Sequence, residues 1–191
     1  RSDSAVDKLA KLKPVFDREF GHVTAGNSAQ ITDGASWVVL ASEDAVKTHD
    51  LPILGRIADT QWAGLDPRQM GLGPVHAAAP LMRRQRLAMS EIDFWEINEA
   101  FAAQVLACLR AFKNTDYCKT ELGLCKAIGE IDEECLNVDG GAVALGHPVG
   151  TSGARIVLHL LHVLRERKAK RGIAAICVGG GQGGAMLLER P

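Results

Sequence analysis

Two glycine-rich turns near the carboxyl end of the chain most constrain what this sequence can fold into. The first, residues 140–150, reads Gly-Gly-Ala-Val-Ala-Leu-Gly-His-Pro-Val-Gly and contains His147. The second, residues 177–184, reads Cys-Val-Gly-Gly-Gly-Gln-Gly-Gly and begins with Cys177. Each lies where a short apolar run ends, and apolar runs bounded by glycine are typical of buried strands. We therefore expect both side chains at strand ends, beside backbone N–H groups that can face a substrate.

Strands and helices alternate along the chain, which predicts an α/β fold with helices on both faces of the sheet. A second series of elements begins after a polar, turn-rich region, so we place a domain boundary near Asp50 and divide the chain into residues 1–50 and 51–191. Residues 113–135 exceed the length of a usual connection and predict an insertion with a short helix. Strands are predicted at 35–41, 94–97, 136–138, 173–178 and 185–188, and helices at 6–13, 43–48, 75–87, 99–112 and 152–168.

The charge balance removes several classes of partner. The 191 residues carry a formal net charge of −1, which gives no broad electrostatic attraction to nucleic acid or to an anionic membrane. The basic run at 165–171 ends a predicted helix, where cations complement the helix dipole. No apolar stretch approaches the roughly 20 residues of a membrane-spanning helix. We therefore expect no nucleic-acid partner and no membrane span.

The cysteines predict free thiols and no metal. Five cysteines are an odd number without framework spacing, which indicates a reducing compartment. The sequence has no Cys-x-x-Cys pair and no histidine between the clustered cysteines, so a zinc site is not expected. His159 and His162 share a predicted helix face without a third ligand, and this pattern indicates surface or core residues.

The chemistry of the two turns can be weighed against simpler explanations. A neutral imidazole can take a proton from a thiol, and a thiolate is both a nucleophile and a base. Against this, buried free cysteines are usually inert core residues, and loop carbonyls can satisfy a histidine. A dinucleotide site at residues 179–184 is not expected, since no helix follows to face a phosphate. Paired strands joined by a glycine turn fit better, with backbone amides that can stabilise an oxyanion beside Cys177.

Five motifs in a fixed order turn this pattern into a family resemblance. From about Leu9 to its end, the chain strongly resembles the carboxyl-terminal half of a thiolase, an acyl-CoA:acetyl-CoA acyltransferase. Any one motif can arise by chance, but the ordered set is very specific. The motifs are Thr-Ala-Gly-Asn-Ser at 24–28, Met-Gly-Leu-Gly-Pro at 70–74, Asn-Glu-Ala-Phe-Ala at 98–102, the histidine turn at 140–148 and the cysteine turn at 177–181.

The resemblance implies a layered fold and two domain assignments. Thiolases consist of two duplicated halves, and each half has a mixed five-stranded sheet with helices on both faces. Residues 51–191 would form the carboxyl-terminal thiolase domain. Residues 1–50 would be the tail of the amino-terminal domain, with the end of its loop region.

The resemblance also implies a role for four residues. His147 would deprotonate a nucleophilic cysteine, and Cys177 would be the acid/base that moves a proton to or from the carbon α to the acetyl carbonyl. Asn98 would position a water that forms one oxyanion hole together with His147. The N–H of Gly179 would contribute to the second oxyanion hole. We expect these four residues to converge on one cleft, with Cys177 partly exposed and its pKa lowered.

Two elements of a complete thiolase site are missing from this chain. The family's nucleophilic cysteine belongs to the amino-terminal half, and none of the other four cysteines lies in a comparable glycine turn. The chain also begins without Met, so we expect a fragment that is inactive alone. Coenzyme A (CoA) would be a substrate and not a permanent cofactor, contacted by Ser28, Ala29 and Phe101. The family commonly carries serine at the position of Ala29, whereas this chain has Ser28 one position earlier.

Four functional alternatives follow from the resemblance. The insertion at 113–135 favours a 3-ketoacyl-CoA thiolase of fatty-acid β-oxidation over an acetoacetyl-CoA-forming biosynthetic thiolase. A non-catalytic lipid-carrier relative and a self-associating assembly fragment also stay open. The full-length family member would be a homodimer or homotetramer. It would be cytoplasmic in a bacterium, mitochondrial or peroxisomal in a eukaryote, and not secreted.

Overall fold

A mixed four-stranded sheet organises the chain in the computed structural model, which describes residues 2–191. The strands β1–β4 lie in the order β1-β4-β3-β2. β2 and β3 are parallel, whereas β4 is antiparallel to both of its neighbours. The strands are β1 (Arg56–Gly64), β2 (Phe94–Ile97), β3 (Arg171–Val178) and β4 (Gln182–Glu189).

Seven α-helices connect and cover these strands within residues 2–191. Ser42 caps α2, because its hydroxyl accepts a hydrogen bond from the N–H of Ala45. Short 3-10 helices at Pro67–Leu72, Met89–Glu91 and Glu133–Cys135 complete the connections. The α-helices are α1 (Val6–Leu9), α2 (Glu43–His49), α3 (Gly73–Gln85), α4 (Ala102–Lys113), α5 (Thr115–Leu122), α6 (Ala142–Leu145) and α7 (Ser152–Glu166).

Apolar side chains cover both faces of the sheet, which confirms the predicted α/β class. On one face, α3 and α4 pack against the sheet around Leu81, Trp95 and Phe112. On the other face, the apolar stripe of α7, which includes Leu160, packs against alternate residues of β3 and β4, which include Leu188. The alternation of inward and outward side chains along β3 lets that strand contribute to both layers.

The β3–β4 hairpin depends on glycine at two kinds of position. Gly180 and Gly181 have φ angles of 88° and 87°, which L side chains rarely adopt, and they turn the chain between the strands. At Gly183 the constraint is space, because a Cβ there would lie 2.1 Å from the carbonyl oxygen of Gly73. The start of α3 can therefore pack directly on the backbone of β4.

The sheet has four strands in residues 2–191 and not the expected five, because the strands predicted at 35–41 and 136–138 do not form and β1 was not predicted. Leu136 forms a single parallel bridge to Trp95, and the strand does not continue. Asn137 takes a left-handed φ of 46°, and its side-chain amide pairs with the N–H and C=O of Ile97 in place of a backbone ladder. A side chain thus substitutes for the strand that the apolar pattern predicts.

The strand predicted at 35–41 is also absent. Residues 22–42 contain no helix or strand, and Trp37 and Val39 are 87% and 93% exposed. A strand needs a hydrogen-bonding neighbour, and residues 2–191 provide none at this position. The helix predicted at 6–13 is shortened to α1. The insertion at 113–135 contains α5, as expected.

Candidate active site

His147 is held by three hydrogen bonds from three parts of the chain. α6 ends at Leu145, and Gly146, with a φ of 88°, turns the chain so that the backbone N–H of His147 donates to the carbonyl of Gln30 at 2.7 Å. Its ring Nδ1 lies 2.7 Å from the hydroxyl of Ser152, and its Nε2 lies 3.3 Å from Nδ2 of Asn98.

These contacts select the tautomer of the imidazole. The Ser152 hydroxyl donates to the carbonyl of Pro148 at 3.2 Å, so it accepts the hydrogen of Nδ1–H. Nε2 of His147 then carries the lone pair, toward which the Asn98 amide donates. Burial, with a smaller effect of the Arg155 charge, lowers the pKa of His147. The ring is therefore neutral near pH 7 and can accept a proton at Nε2.

Asn98 follows the last residue of β2 and is 2% exposed. Its backbone N–H donates to the carbonyl of Ala175 in β3 at 3.0 Å, which fixes the residue at the carboxyl end of the two parallel strands. Its side-chain Oδ1 is buried and has no hydrogen-bond partner within residues 2–191. Buried polar atoms are rarely left unpaired, so this oxygen indicates a position for a bound water or ligand.

Cys177 lies in β3, two residues beyond Ala175, and pairs with Gly183 of β4. It is 6% exposed, and burial raises the pKa of its thiol. The expectation of a partly exposed thiol with a lowered pKa is therefore wrong. Cys177 is the next-to-last residue of β3, at the end of the strand as expected, but it is buried there beside Gly183 of β4. In residues 2–191, Sγ of Cys177 makes no hydrogen bond to His147 or to Asn98.

Gly179 begins the turn of the β3–β4 hairpin and is exposed. A Cβ at this position would meet no atom of residues 2–191 within 4 Å, so the space beside its backbone is open there. The structure thus brings Asn98 and His147 into contact. It places Cys177 and Gly179 on the neighbouring strand and turn.

The three residues expected to contact CoA lie together, next to Asn98. Ser28 forms an antiparallel bridge with Phe101, and the N–H of Ala29 donates to the carbonyl of Ala100 at 3.0 Å. The hydroxyl of Ser28 donates to the carbonyl of Thr24 at 2.8 Å, so it is engaged inside its own loop. The ring of Phe101 is half-buried and contacts the ring of Phe16 edge-on, with centroids 6.2 Å apart.

Two residues of the site escaped the sequence analysis in part or in full. Ser152 was expected only as the first residue of the predicted helix at 152–168, whereas its hydroxyl orients His147. Glu99 accepts hydrogen bonds from Nδ2 of Asn137 at 3.0 Å and from the N–H of Val143 at 3.1 Å. A Cβ at Gly141 would collide with the Glu99 carboxyl group, so the second glycine of the pair makes room for it. The signal for Glu99 was its position directly after Asn98.

The remaining titratable clusters do not form a metal centre. Within residues 2–191, no group of three or more His, Cys, Asp and Glu side chains could hold a metal ion. All five cysteines are free thiols. No helix in the same range is long and apolar enough to cross a membrane.

Comparison with known proteins relates this geometry to one family. Residues 51–190 match "Thiolase, C-terminal domain", and residues 1–44 match "Thiolase, N-terminal domain". Over its full length, the chain is 47% identical to a beta-ketoadipyl-CoA thiolase and 45% identical to an acetyl-CoA acetyltransferase, both of Pseudomonas aeruginosa. It also resembles the crystal structure of human mitochondrial 3-ketoacyl-CoA thiolase in complex with CoA, with a TM-score of 0.87 and 42% identity over 100% of the chain. The chain spans 43% and 44% of the lengths of the two bacterial relatives and 44% of the human structure.

Proposed function

The chain belongs to the thiolase family, and we propose that it is the carboxyl-terminal part of an acyl-CoA:acetyl-CoA C-acyltransferase. The proposed reaction is cleavage of a 3-ketoacyl-CoA by CoA, as in fatty-acid β-oxidation. The observation that carries this proposal is the contact between Asn98 Nδ2 and His147 Nε2, beside a buried Asn98 oxygen that has no hydrogen-bond partner within residues 2–191. The same residues could serve acetoacetyl-CoA formation, and the 45% identity to an acetyl-CoA acetyltransferase favours this as the second candidate.

His147 is the general base of the proposed mechanism. Its Nε2 takes the proton of a nucleophilic thiol while Ser152 holds Nδ1–H, so the imidazolium that forms keeps its orientation. The resulting thiolate attacks the 3-keto carbon of the substrate, and the bond between C2 and C3 breaks. The acyl group stays on the nucleophile as a thioester, and acetyl-CoA leaves as its enolate.

Cys177 is the proposed acid that protonates the enolate carbon. The raised pKa of its buried thiol keeps the proton on sulfur until a strongly basic carbon is formed beside it. The Cys177 thiolate left by this transfer then accepts the proton of the incoming CoA thiol. CoA sulfur attacks the acyl-enzyme thioester, and the nucleophilic thiolate leaves as the new acyl-CoA is released.

Two oxyanion sites are proposed around these residues. A water bound to Asn98 Oδ1 would form the first site together with Nε2–H of the His147 imidazolium. The buried oxygen of Asn98 supports such a water, because no group in the described part of the chain supplies the hydrogen bond it requires. The N–H of Gly179 would contribute to the second, since the space beside this exposed glycine is open.

CoA is proposed as a substrate that binds along the loop at residues 24–29. Ala29 and Phe101 are available for the pantetheine or acyl part. The contribution of Ser28 is limited to its backbone while its hydroxyl donates to Thr24. The proposal includes no permanently bound cofactor and no metal.

The nucleophile and the rest of the site are proposed to lie in a segment outside this chain. The chain spans less than half the length of its relatives, and none of its cysteines lies beside His147 as a hydrogen-bond partner within residues 2–191. We assign residues 1–50 to the tail of the amino-terminal domain and residues 51–191 to the carboxyl-terminal domain. The exposed Trp37 and Val39 would then be covered by that other segment. A homodimer or homotetramer in a bacterial cytoplasm, a mitochondrion or a peroxisome is proposed for the whole protein.

The test compares two variants of the full-length protein that also contains the nucleophile. Incubation with a 3-ketoacyl-CoA or acyl-CoA, followed by intact-mass measurement, reads acyl-enzyme formation. His147→Ala should abolish acylation. Cys177→Ala should still be acylated by acyl-CoA, because CoA can leave as a thiolate without an acid, but it should lose turnover by about 10²–10⁴-fold because the enolate carbon cannot be protonated. Equal loss of acylation in both variants contradicts the division of roles. Binding of acyl-CoA without any turnover in the unsubstituted protein would support the lipid-carrier alternative instead.

A further inference from the structure

Three ionisable side chains that the proposed chemistry does not use form a chain of contacts behind the Asn98–His147 pair. His159 of α7 has Nδ1 2.7 Å from Oε1 of Glu96 and Nε2 3.1 Å from Oδ2 of Asp139. Glu96 is buried in β2, two residues before Asn98, whereas Asp139 lies in the turn that leads to α6 and has a 56% exposed side chain. A single imidazole therefore joins a core carboxylate to an exposed one.

The protonation of this cluster follows from its hydrogen bonds. A neutral imidazole has one N–H, so both carboxylates can be served at once only when His159 is protonated or one carboxyl retains its proton. The hydrogen bond to Glu96 and the nearby Asp139 raise the pKa of His159. Burial raises the pKa of Glu96, with a smaller contribution from the charge of Glu99. Arg155, one turn earlier on α7, lines the same cavity as His159. The two carboxylates therefore favour a proton on the His159 imidazole, whereas the positive charge of Arg155 opposes it.

The cluster adds to several polar contacts that join β2 and the residues directly after it to the segment that leads to His147, three of which are as follows. Asn137 pairs with the backbone of Ile97, and Glu99 accepts the N–H of Val143. The third connection runs from Glu96 through His159 to Asp139. Asp139 directly precedes Gly140, whose φ of 89° turns the chain toward α6.

The position of this third connection relates it to the active site. A cavity of about 90 Å³ is lined by Asn98, Gly140 and His159 among others, so the His159 cluster and Asn98 border the same cavity. Asn98 follows β2, and His147 follows α6. The separation of the two side chains therefore depends on how firmly the 139–146 segment is held on β2.

We propose that His159 is a positioning residue, which clamps the Asp139–Gly140 turn onto β2 and thereby sets the separation of Asn98 and His147. Its effect on turnover rests on the proposed function, whereas the clamp itself does not. Because the side chain of Asp139 is exposed, its contact with His159 can be removed without opening the core. If His159 only satisfied the buried Glu96, loss of Asp139 would leave both activity and backbone mobility unchanged.

The test uses Asp139→Ala and Asp139→Asn in the full-length protein. Asp139→Ala removes the contact with His159 but leaves the Glu96–His159 pair, and Asp139→Asn keeps an acceptor for Nε2–H. Glu166→Ala is the matched control, because it removes an exposed carboxylate from α7, the helix that contains His159. We expect kcat to fall about tenfold to a hundredfold in Asp139→Ala with KM within about twofold, because small misplacement of catalytic groups is costly. Asp139→Asn should restore most of this loss.

Hydrogen exchange separates the clamp from the reaction. Amides at 140–145 should exchange faster in Asp139→Ala than in the unsubstituted protein and in Glu166→Ala, even if no thiolysis is detected. Unchanged exchange overturns the clamp. Faster exchange with unchanged kcat in an active enzyme overturns the positioning role. Absence of thiolysis in the unsubstituted protein counts against the proposed function alone.

The pH profile of kcat gives a readout that loss of structure would not move. The alkaline limb should shift to lower pH in Asp139→Asn, since removal of the carboxylate lowers the pKa of His159. An alkaline limb that stays in place contradicts the assignment of the clamp to His159.

Discussion

Nδ2 of Asn98 lies 3.3 Å from Nε2 of His147, although the two residues are 49 positions apart in the sequence. Asn98 directly follows a buried parallel strand and His147 follows a one-turn helix, so no single element holds both. Their contact is set by polar side chains that join the two segments: Asn137, Glu99 and the His159 cluster. The candidate site is therefore sensitive to residues that touch no substrate.

Ser152→Ala should impair His147 without unfolding the protein. The substitution removes the acceptor for Nδ1–H, so the ring can rotate or change tautomer, and kcat of the full-length protein should fall about tenfold or more. Ser42→Ala, which removes the α2 cap far from the site, should lower stability by about 1 kcal/mol without changing kcat. Equal activity in both variants would argue against an orienting role for Ser152.

The cysteines should differ strongly in their rate of alkylation. Cys125 is exposed and should react first with iodoacetamide, whereas Cys177 should react slowly because it is buried and its thiol pKa is raised. Cys108 should also be protected, since burial raises its pKa to about 12. Peptide mass mapping after timed alkylation of the folded chain measures this order. Alkylation of Cys177 before Cys125 would show that β3 is open to solvent.

Asn137→Ala should be strongly destabilising. It leaves the buried N–H and C=O of Ile97 without their partner and keeps a non-glycine residue at a φ of 46°. We expect a loss of about 2–4 kcal/mol in the free energy of unfolding, measured by urea denaturation. Asn114→Ala removes the exposed cap of α5 and should cost about 1 kcal/mol. A loss at position 137 no larger than at position 114 would contradict this account of the missing strand.

Asp59 should contribute to stability in a pH-dependent way. Hydrogen bonds from Arg84 and then Gln85 lower its pKa from the ordinary 3.8 to about 2. A lowered pKa gives stability that is complete above the unfolded-state pKa and is lost as the pH falls through the folded-state pKa. The difference in urea midpoint between the unsubstituted protein and Asp59→Asn should therefore shrink from about pH 6 to about pH 2. A difference that is constant over this range rules out the carboxylate as its source.

Substitution by alanine should lower stability strongly at one glycine of the β3–β4 hairpin and hardly at all at another. A methyl group at position 183 meets the backbone of Gly73, which cannot move without displacing α3, so the expected loss is about 3 kcal/mol or more. A methyl group at position 179 meets open space, and the expected change is within about 0.5 kcal/mol. Thermal denaturation of both variants checks this contrast. Similar melting temperatures would show that β4 and α3 do not pack through bare backbone.

Hydrophobic periodicity predicts the central elements of this fold well, and fails where a side chain replaces a backbone partner. The strand at 94–97 and the long helix α7 follow from their apolar patterns, because both bury a continuous apolar face. Residues 136–138 have the same apolar character, yet the Asn137 amide takes the place of the ladder. Residues 35–41 look like a buried strand, but residues 2–191 provide no neighbour for them.

The candidate site is recognisable from its motifs, whereas its electrostatics are not. The sequence singles out Asn98 and His147, and their contact depends on folding that no local pattern encodes. Exposure of Cys177 was predicted from its glycines, but glycine next to a cysteine says nothing about the layers packed over the strand. The connection of His159 to two carboxylates joins three separate segments, so spacing along one helix could not reveal it.

The backbone N–H of His147 donates a hydrogen bond to the carbonyl of Gln30, and the hydroxyl of Thr151 donates one to the carbonyl of Gly34. The histidine turn therefore takes part of its support from residues that precede the boundary near Asp50. An exchange of domains between related enzymes at that boundary would pair this turn with a foreign partner. A segment exchanged between related enzymes should therefore begin before the loop at residues 24–34, so that His147 and the loop carbonyls that its turn contacts come from the same protein.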